Sequence, residues 1–255
     1  MQLLKDKIIF LTGGSSGIGF ECAKKYKLEG AKVFIMSNDK PSIERSIAEL
    51  GEDHGFAFGD VSVSADVEAA ILQALNKYGK IDVIHNNAGI AHPSKPLHET
   101  TEAEWQMIFD INLKSILYTC KFGLESLKKT FGCIINTSSL VGGIGQTDHA
   151  AYAASKGAMN TLTKCMSLDY APYKIRVNAV APAAVLTDML REWAQDQKNS
   201  SMIEKYLNEI HPLGYCPGGD TVADVCVFLA SDMSRFITGC ILPVSGGAEL
   251  GYRRI

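Results

Sequence analysis

The stretch Lys7-Ile8-Ile9-Phe10-Leu11-Thr12-Gly13-Gly14-Ser15-Ser16-Gly17-Ile18-Gly19 decides the fold. Lys7 to Thr12 is a short apolar run that reads as a strand. A helical period opens at Gly17 and runs to Leu28, where Gly30 closes it. Glycines between a strand and a helix let backbone N–H groups approach an anion at the positive end of the helix, with no side chains in the way. A glycine-rich turn alone is a common connector. Directly after the first strand and opening the first helix, it points to a phosphate-binding turn.

The rest of the chain repeats the alternation. Lys32 to Met36 is a second strand, followed by a helix with Pro41 and Glu44 in its first turn. Phe56 to Phe58 is a short strand ending at Asp60-Val61, and Ser64 is expected to cap a helix to Tyr78. Ile81 to Ile84 and Cys133 to Asn136 are further strands, with one long helix expected from Trp105 to Leu127 between them. Tyr152 to Tyr170 reads as a helix, and Ile175 to Val180 and Ile241 to Val244 as the last strands, buried in composition. Continuously apolar strands joined by crossover helices imply a parallel sheet covered on both faces. The expected fold is a doubly wound α/β (Rossmann) domain of about seven strands. At 255 residues, with no repeat or linker, residues 1–255 are expected to form one domain. The polar segment 187–217, which holds Trp193, is expected to be a lid over a pocket.

Composition narrows the class. Hydrophobic residues make up 46% and charged residues 21%, enough for a sizeable core. The net charge of -3, with Lys and Arg scattered among the acids, argues against a nucleic-acid partner. No apolar run reaches the ~20 residues of a membrane helix, and the N-terminus lacks the pattern of a secretory leader. The seven cysteines show neither CxxC nor Cys/His ligand spacing. They read as free thiols in a reducing compartment, so a cytoplasmic location is expected and no metal.

Dinucleotide sites often carry an acid ~20 residues beyond the glycine turn, on the adenosine ribose. Here that place is taken by Ser37, followed by Asn38 and Asp39. Without a carboxylate a 2′-phosphate is not repelled, yet no arginine follows to hold one, so NAD and NADP both stay open. Tyr152 and Lys156 stand four apart on a helix and share a face. Most such pairs are a solvated face, but a lysine ammonium can also lower a tyrosine pKa towards catalytic use. Ser138-Ser139 follows a strand, at the end where α/β folds expose active residues.

Taken together these residues resemble the short-chain dehydrogenase/reductase family. The resemblance covers nearly the whole chain: the Thr-Gly-x-x-x-Gly-x-Gly loop from Thr12 to Gly19, Asp60-Val61, Asn86-Asn87-Ala88-Gly89, Asn112, Ser139, Tyr152, Lys156 and the segment Asn178 to Thr187. It implies an NAD(P)(H)-dependent oxidoreductase. Tyr152 would exchange the proton of the carbonyl or alcohol oxygen, and Ser139 would hydrogen-bond that oxygen. Lys156 would hold the nicotinamide ribose and depress the tyrosine pKa, and Asn112 would anchor a proton-relaying water. Gly13, Ser15, Ser16, Gly17, Ile18 and Gly19 would line the cofactor phosphates and ribose, with Ser37 and Asn38 at the adenosine ribose. Asp60 and Val61 would meet the adenine, Asn87, Ala88 and Gly89 the adenosine side, and Pro182, Val185 and Thr187 the nicotinamide. Asp60 could equally cap the following turn, Asn86 could stitch two strands, and Asn112 could be a satisfied helix asparagine.

The chain departs from the family pattern at Ala183 (usually glycine), at Ser245-Gly246-Gly247 (usually Asp-Gly-Gly) and at Pro217-Gly218-Gly219-Asp220 (usually Pro-Glu). No catalytic group is lost; the pocket is what changes. Gln146 and His149, with Trp193 from the lid, are the expected substrate contacts. With Arg253 and Arg254 near the C-terminus they suggest a small polar ketone, such as a sugar- or uronate-derived keto acid. A 3-ketoacyl thioester reductase would share every catalytic residue, and a non-catalytic cofactor-binding protein is the other class. The family resemblance implies a homotetramer, with a dimer as the alternative.

Overall fold

A computed structural model describes residues 2–187, 190, 191, 194 and 200–251. Seven strands form one parallel sheet: β1 (Ile8–Thr12), β2 (Lys32–Ser37), β3 (Gly55–Phe58), β4 (Val83–Asn86), β5 (Cys133–Thr137), β6 (Arg176–Pro182) and β7 (Ile241–Val244), in the order β3-β2-β1-β4-β5-β6-β7. The chain winds outward from β1 to β3 and then returns to start β4 on the other side of β1. The carboxyl ends of β1 and β4 therefore flank the point where the winding reverses, where open α/β sheets leave a crevice.

The two faces of the sheet bury separate apolar layers. On one, α1 (Gly17–Leu28) and the last long helix, Gly219–Ala230, press Cys22, Tyr26, Val222 and Cys226 onto Leu11, Ile35 and Ile135. On the other, α3 (Ser64–Tyr78), Ser115–Thr130 and Ala150–Tyr170 set Val67, Ile71, Ile116, Leu127 and Met159 against Phe10, Ile84 and Ile134. Each such side chain contributes roughly 1.5–3 kcal/mol on burial, so an Ile84→Ala cavity at the centre of the sheet costs about 2–5 kcal/mol. β7 is only half-buried, because as the edge strand it has a neighbour on one side alone.

Local chemistry explains most boundaries. α2 (Lys40–Leu50) opens with Pro41 in its first turn, and α3 ends on Gly79 in the left-handed region (φ 76°). Ser64 lies inside α3 rather than capping it; Val63 is the cap residue and no side chain bonds there. Thr101 and Glu104 close a reciprocal capping box at the start of α4 (Glu102–Phe109).

Two further expectations shift. The strand expected at Ile81–Ile84 lies at Val83–Asn86, because His85 and Asn86 are polar yet fully paired within the sheet layer. The single helix expected over Trp105–Leu127 is two, α4 and α5 (Ser115–Thr130), joined by a π-helical turn at Asp110–Lys114. No proline or glycine marks that turn. It is stabilised from outside, where the Asn112 amide holds the backbone of Ile90 through both Oδ1 (2.8 Å from Ile90 N) and Nδ2 (2.9 Å to Ile90 O). Among the described residues the further α-helices are α6 (Ala150–Tyr170), α7 (Ser200–Glu209) and α8 (Gly219–Ala230). Part of the expected lid, Trp193 included, lies outside the described residues. Among the described residues no helix is long and apolar enough to cross a membrane.

Candidate active site

The glycine turn leaves β1 at the crevice. Gly13 has φ +63°, and a Cβ there would come within 2.8 Å of Ala88 Cα; a Cβ on Gly19 would lie 2.1 Å from the Gly13 carbonyl. The turn can only be this tight with bare backbone at both positions, which keeps the N-terminus of α1 open to an anion. Asn87 ties the turn to β4. Its N–H reaches Thr12 Oγ1 at 3.1 Å and its Nδ2 reaches Gly13 O at 3.0 Å, while Ala88 N donates to the same threonine hydroxyl. Of the two loop serines, Ser16 is the exposed cap residue and makes no side-chain cap bond. The Ser15 hydroxyl is drawn away, to Ser37 Oγ at 2.8 Å and Ser42 Oγ at 2.7 Å.

That hydroxyl cluster closes the end of β2. Ser37 is buried, Asn38 is exposed, and no carboxylate replaces the expected acid on the strand. Asp60, at the end of β3, spends Oδ1 on the N–H (2.8 Å) and hydroxyl (2.7 Å) of Ser62, as a turn cap does. Val61 beside it is buried. Asn86 stitches β4 to β5 through Nδ2 to Asn136 Oδ1 (2.9 Å) and receives the Thr119 hydroxyl at 2.7 Å. A dinucleotide fits this frame: bare backbone at a helix N-terminus beside the ends of β1, β2 and β4.

The reacting groups converge beyond it. Ser139 sits just after β5, its hydroxyl accepting from Val141 N at 3.4 Å, and it lies near enough to Tyr152 on α6 to pull the phenol pKa down. Lys156, one turn on, is almost wholly buried; its Nζ donates to Thr137 O at 2.7 Å and lies 5.7 Å from the centre of the Tyr152 ring. A Cβ on Gly89 would meet Asn112 Oδ1 at 3.2 Å and Lys156 Nζ at 3.4 Å, so all three crowd one spot. Asn112 also donates to Ser155 Oγ at 3.1 Å, so both amide protons are used and Oδ1 keeps one lone pair free of Ile90 N.

Electrostatics here differ from the simple expectation of a lysine-depressed tyrosine. Burial dominates: it pushes the Tyr152 phenol up, with only the Ser139 hydrogen bond pulling it down. The same burial brings Lys156 down to about 8. Pro182 ends β6, Val185 is buried, and Thr187 Oγ1 accepts from Leu190 N at 3.2 Å. His149 is buried beside Tyr152, with Nδ1 donating to Thr147 O at 2.8 Å and Nε2 facing Ser94 Oγ at 3.0 Å. Ser94 was not singled out in the sequence, since no motif marks it. Gln146 is exposed. Arg253 and Arg254, like Trp193, lie outside the described residues.

A phosphate-binding turn facing a Ser–Tyr–Lys cluster across the crevice of a doubly wound sheet defines a dinucleotide-dependent oxidoreductase. Comparison with known proteins carries this further. The family described as enoyl-(acyl carrier protein) reductase matches residues 13–249. The meso-2,3-butanediol dehydrogenase of Serratia marcescens is 36% identical over 244 residues, 95% of this chain and 94% of that protein. The L-fucose dehydrogenase of Mus musculus is 35% identical over 250 residues, 97% of this chain and 90% of that protein. The crystal structure of a 3-ketoacyl-(acyl-carrier-protein) reductase from Brucella melitensis, complexed with NADH, matches with a TM-score of 0.89 and 31% identity, over 96% of this chain and 99% of that one. The chain belongs to the short-chain dehydrogenase/reductase family. It is an oxidoreductase of CH–OH and C=O groups that works with a nicotinamide cofactor.

Proposed function

We propose that the protein interconverts a small polar ketone and its alcohol, with Tyr152 as general acid and base. The observation that carries this is Tyr152 set beside Ser139, with the buried Lys156 Nζ held on Thr137 O 5.7 Å from the centre of the phenol ring. The nicotinamide, when bound, supplies or accepts the hydride. Tyr152 gives its proton to the carbonyl oxygen in reduction and takes it from the alcohol in oxidation, help worth ~10² to 10⁴ in rate. Ser139 hydrogen-bonds the same oxygen and orients it. Lys156 holds the nicotinamide ribose and stabilises the phenolate, while Asn112 borders it and holds the water that relays protons outward.

The glycine turn with Ser16, Gly17 and Ile18 takes the phosphates, Ser37 and Asn38 the adenosine ribose, and Asp60 and Val61 the adenine. Asn87, Ala88 and Gly89 line the adenosine side, and Pro182, Val185 and Thr187 the nicotinamide. With no carboxylate on β2, either NAD(H) or NADP(H) is admitted. The substrate is of the sugar- or uronate-derived keto acid kind, met by Gln146, His149 and Trp193. Relatives named for a diol and a hydroxylated sugar support that class. The chain acts as one domain with a lid at 187–217, in a cytoplasmic homotetramer. A second reading, 3-ketoacyl thioester reduction, is favoured by the name of the Brucella melitensis structure.

The test is the initial rate of NADH and NADPH consumption against sugar-derived keto acids, diketones and acetoacetyl thioesters, with Tyr152→Phe protein as control. A Tyr152-dependent rate on polar ketones supports the first reading, and one on thioesters alone the second. Tight cofactor binding with no turnover of any ketone or alcohol would leave a non-catalytic protein.

A further inference from the structure

A file of hydrogen bonds, buried at its start and part-buried where it reaches Asn87, runs from α1 through the sheet to the glycine turn. Tyr26 and His85 both have no exposed surface. The Tyr26 hydroxyl lies 3.0 Å from His85 Nδ1, and His85 Nε2 lies 2.9 Å from Thr137 Oγ1. Thr137 Oγ1 donates to Asn87 Oδ1 at 3.2 Å, and Asn87 Nδ2 donates to Gly13 O at 3.0 Å.

The direction of this file follows from counting protons. A threonine hydroxyl has one proton, and Thr137 gives its proton to Asn87, whose Oδ1 can only accept. Thr137 Oγ1 must therefore accept from His85, so Nε2 carries the imidazole proton. Nδ1 is then a bare lone pair, and the Tyr26 hydroxyl donates to it. Cys22 and Cys226 place their sulfurs within 4.8 Å of the same ring, a grouping that resembles a metal-ligand set. Here both imidazole nitrogens already have partners, and the grouping acts as the anchor of a hydrogen-bonded file.

We propose that His85, fixed by Tyr26, is a positioning residue for the dinucleotide. It sets the Thr137 hydroxyl, which orients the Asn87 amide, which in turn holds the Gly13 carbonyl against β4. A carbonyl held there cannot swing towards the phosphates, so the turn presents N–H groups to the anion. The proposal rests on the dinucleotide reading of the site given above. His85 touches neither substrate nor cofactor and acts only through Thr137 and Asn87.

The test compares wild-type protein with Tyr26→Phe/His85→Leu and with Thr137→Val. Dissociation constants for NADH and NADPH are read from fluorescence titration, and kcat and cofactor KM from initial rates. The double variant removes hydroxyl and ring nitrogens together, so neither is stranded in the core. Both variants are expected to raise the cofactor Kd about tenfold, the scale of one lost hydrogen bond with a geometric task. In the double variant kcat at saturating cofactor should stay within about twofold of wild type, giving a KM-against-kcat split.

Normal wild-type binding with an unchanged Kd in the variants overturns this inference and leaves the dinucleotide reading standing. A fall in kcat with Kd unchanged overturns it as well. Failure of the wild-type protein to bind either dinucleotide overturns both. Should the double variant not fold, Thr137→Val and the ¹⁵N spectrum of wild-type His85 decide. A neutral ring protonated at Nε2 is expected; a proton on Nδ1 overturns the proposed direction.

Discussion

Lys156 Nζ donates a 2.7 Å hydrogen bond to the backbone carbonyl of Thr137, the residue whose hydroxyl reaches Asn87 at 3.2 Å. The end of β5 therefore serves both sides of the crevice, gripping the lysine through its carbonyl and the glycine turn through its side chain. The lysine charge is thereby held beside Tyr152 at a fixed height rather than left on a flexible stem.

Tyr152→Phe removes the acid–base hydroxyl and leaves the ring. Turnover is expected to fall by ~10² to 10⁴ while the cofactor Kd is unchanged, because the hydroxyl acts on the proton in flight. Single-turnover kinetics beside a binding titration separate the two; a variant with wild-type kcat would remove Tyr152 from its proposed role.

Stability should carry the mark of Lys156. Its folded-state pKa of about 8 lies below the ordinary lysine value of 10.5, so between those pH values the unfolded chain binds the extra proton. Stability from this group therefore rises with pH across that window, and the penalty is fully present below it. The lowering corresponds to about 3 kcal/mol. Lys156→Met is accordingly expected to melt higher than wild type at pH 7, with the gap closing towards pH 10. Denaturant melts at several pH values check this, and a gap that widens with pH would contradict it.

Gly19→Ala forces a methyl to within 2.1 Å of the Gly13 carbonyl and 2.4 Å of Asn87 Nδ2. Both are backbone or tethered groups, so strain of about 1–3 kcal/mol is expected. Relief comes only by opening the turn, and dinucleotide affinity should drop by more than an order of magnitude. Isothermal titration beside a thermal melt distinguishes loss of the cradle from loss of the fold.

Ser37→Asp places a carboxylate among the Ser15 and Ser42 hydroxyls, which can donate to it. Against a 2′-phosphate the added charge is repulsive, and in a partly buried site that repulsion is worth about 1–4 kcal/mol. The ratio of kcat/KM with NADP(H) to that with NAD(H) should fall at least tenfold. An unchanged ratio would mean that the ribose lies away from the tip of β2.

What the sequence made legible is what recurs locally. The apolar run before Gly13 and the helical period after Gly17 place β1 and α1 almost to the residue. Tyr152 and Lys156 could be paired because a helix puts positions four apart on one face. The misses are long-range. His85 and Asn86 look unlike strand residues, since their partners Thr137 and Asn136 lie some fifty positions away. The Tyr152 pKa direction was likewise hidden, because it depends on how deeply the phenol is buried and not on its neighbour four residues on.

The wide turn at Asp110–Lys114 sets the angular phase of everything after it. One residue advances an α-helix by about 100°. A π turn closes i→i+5 and so takes up one residue more than an α turn; deleting a single residue there would let α4 and α5 run on as one regular helix with Thr119 still facing Asn86, whereas a further insertion would carry Thr119 about 100° round. An insertion in this partly exposed bend would thus be felt in the stitching of β4 to β5. Between Phe109 and Ser115 an insertion should therefore be far less tolerated than a single deletion.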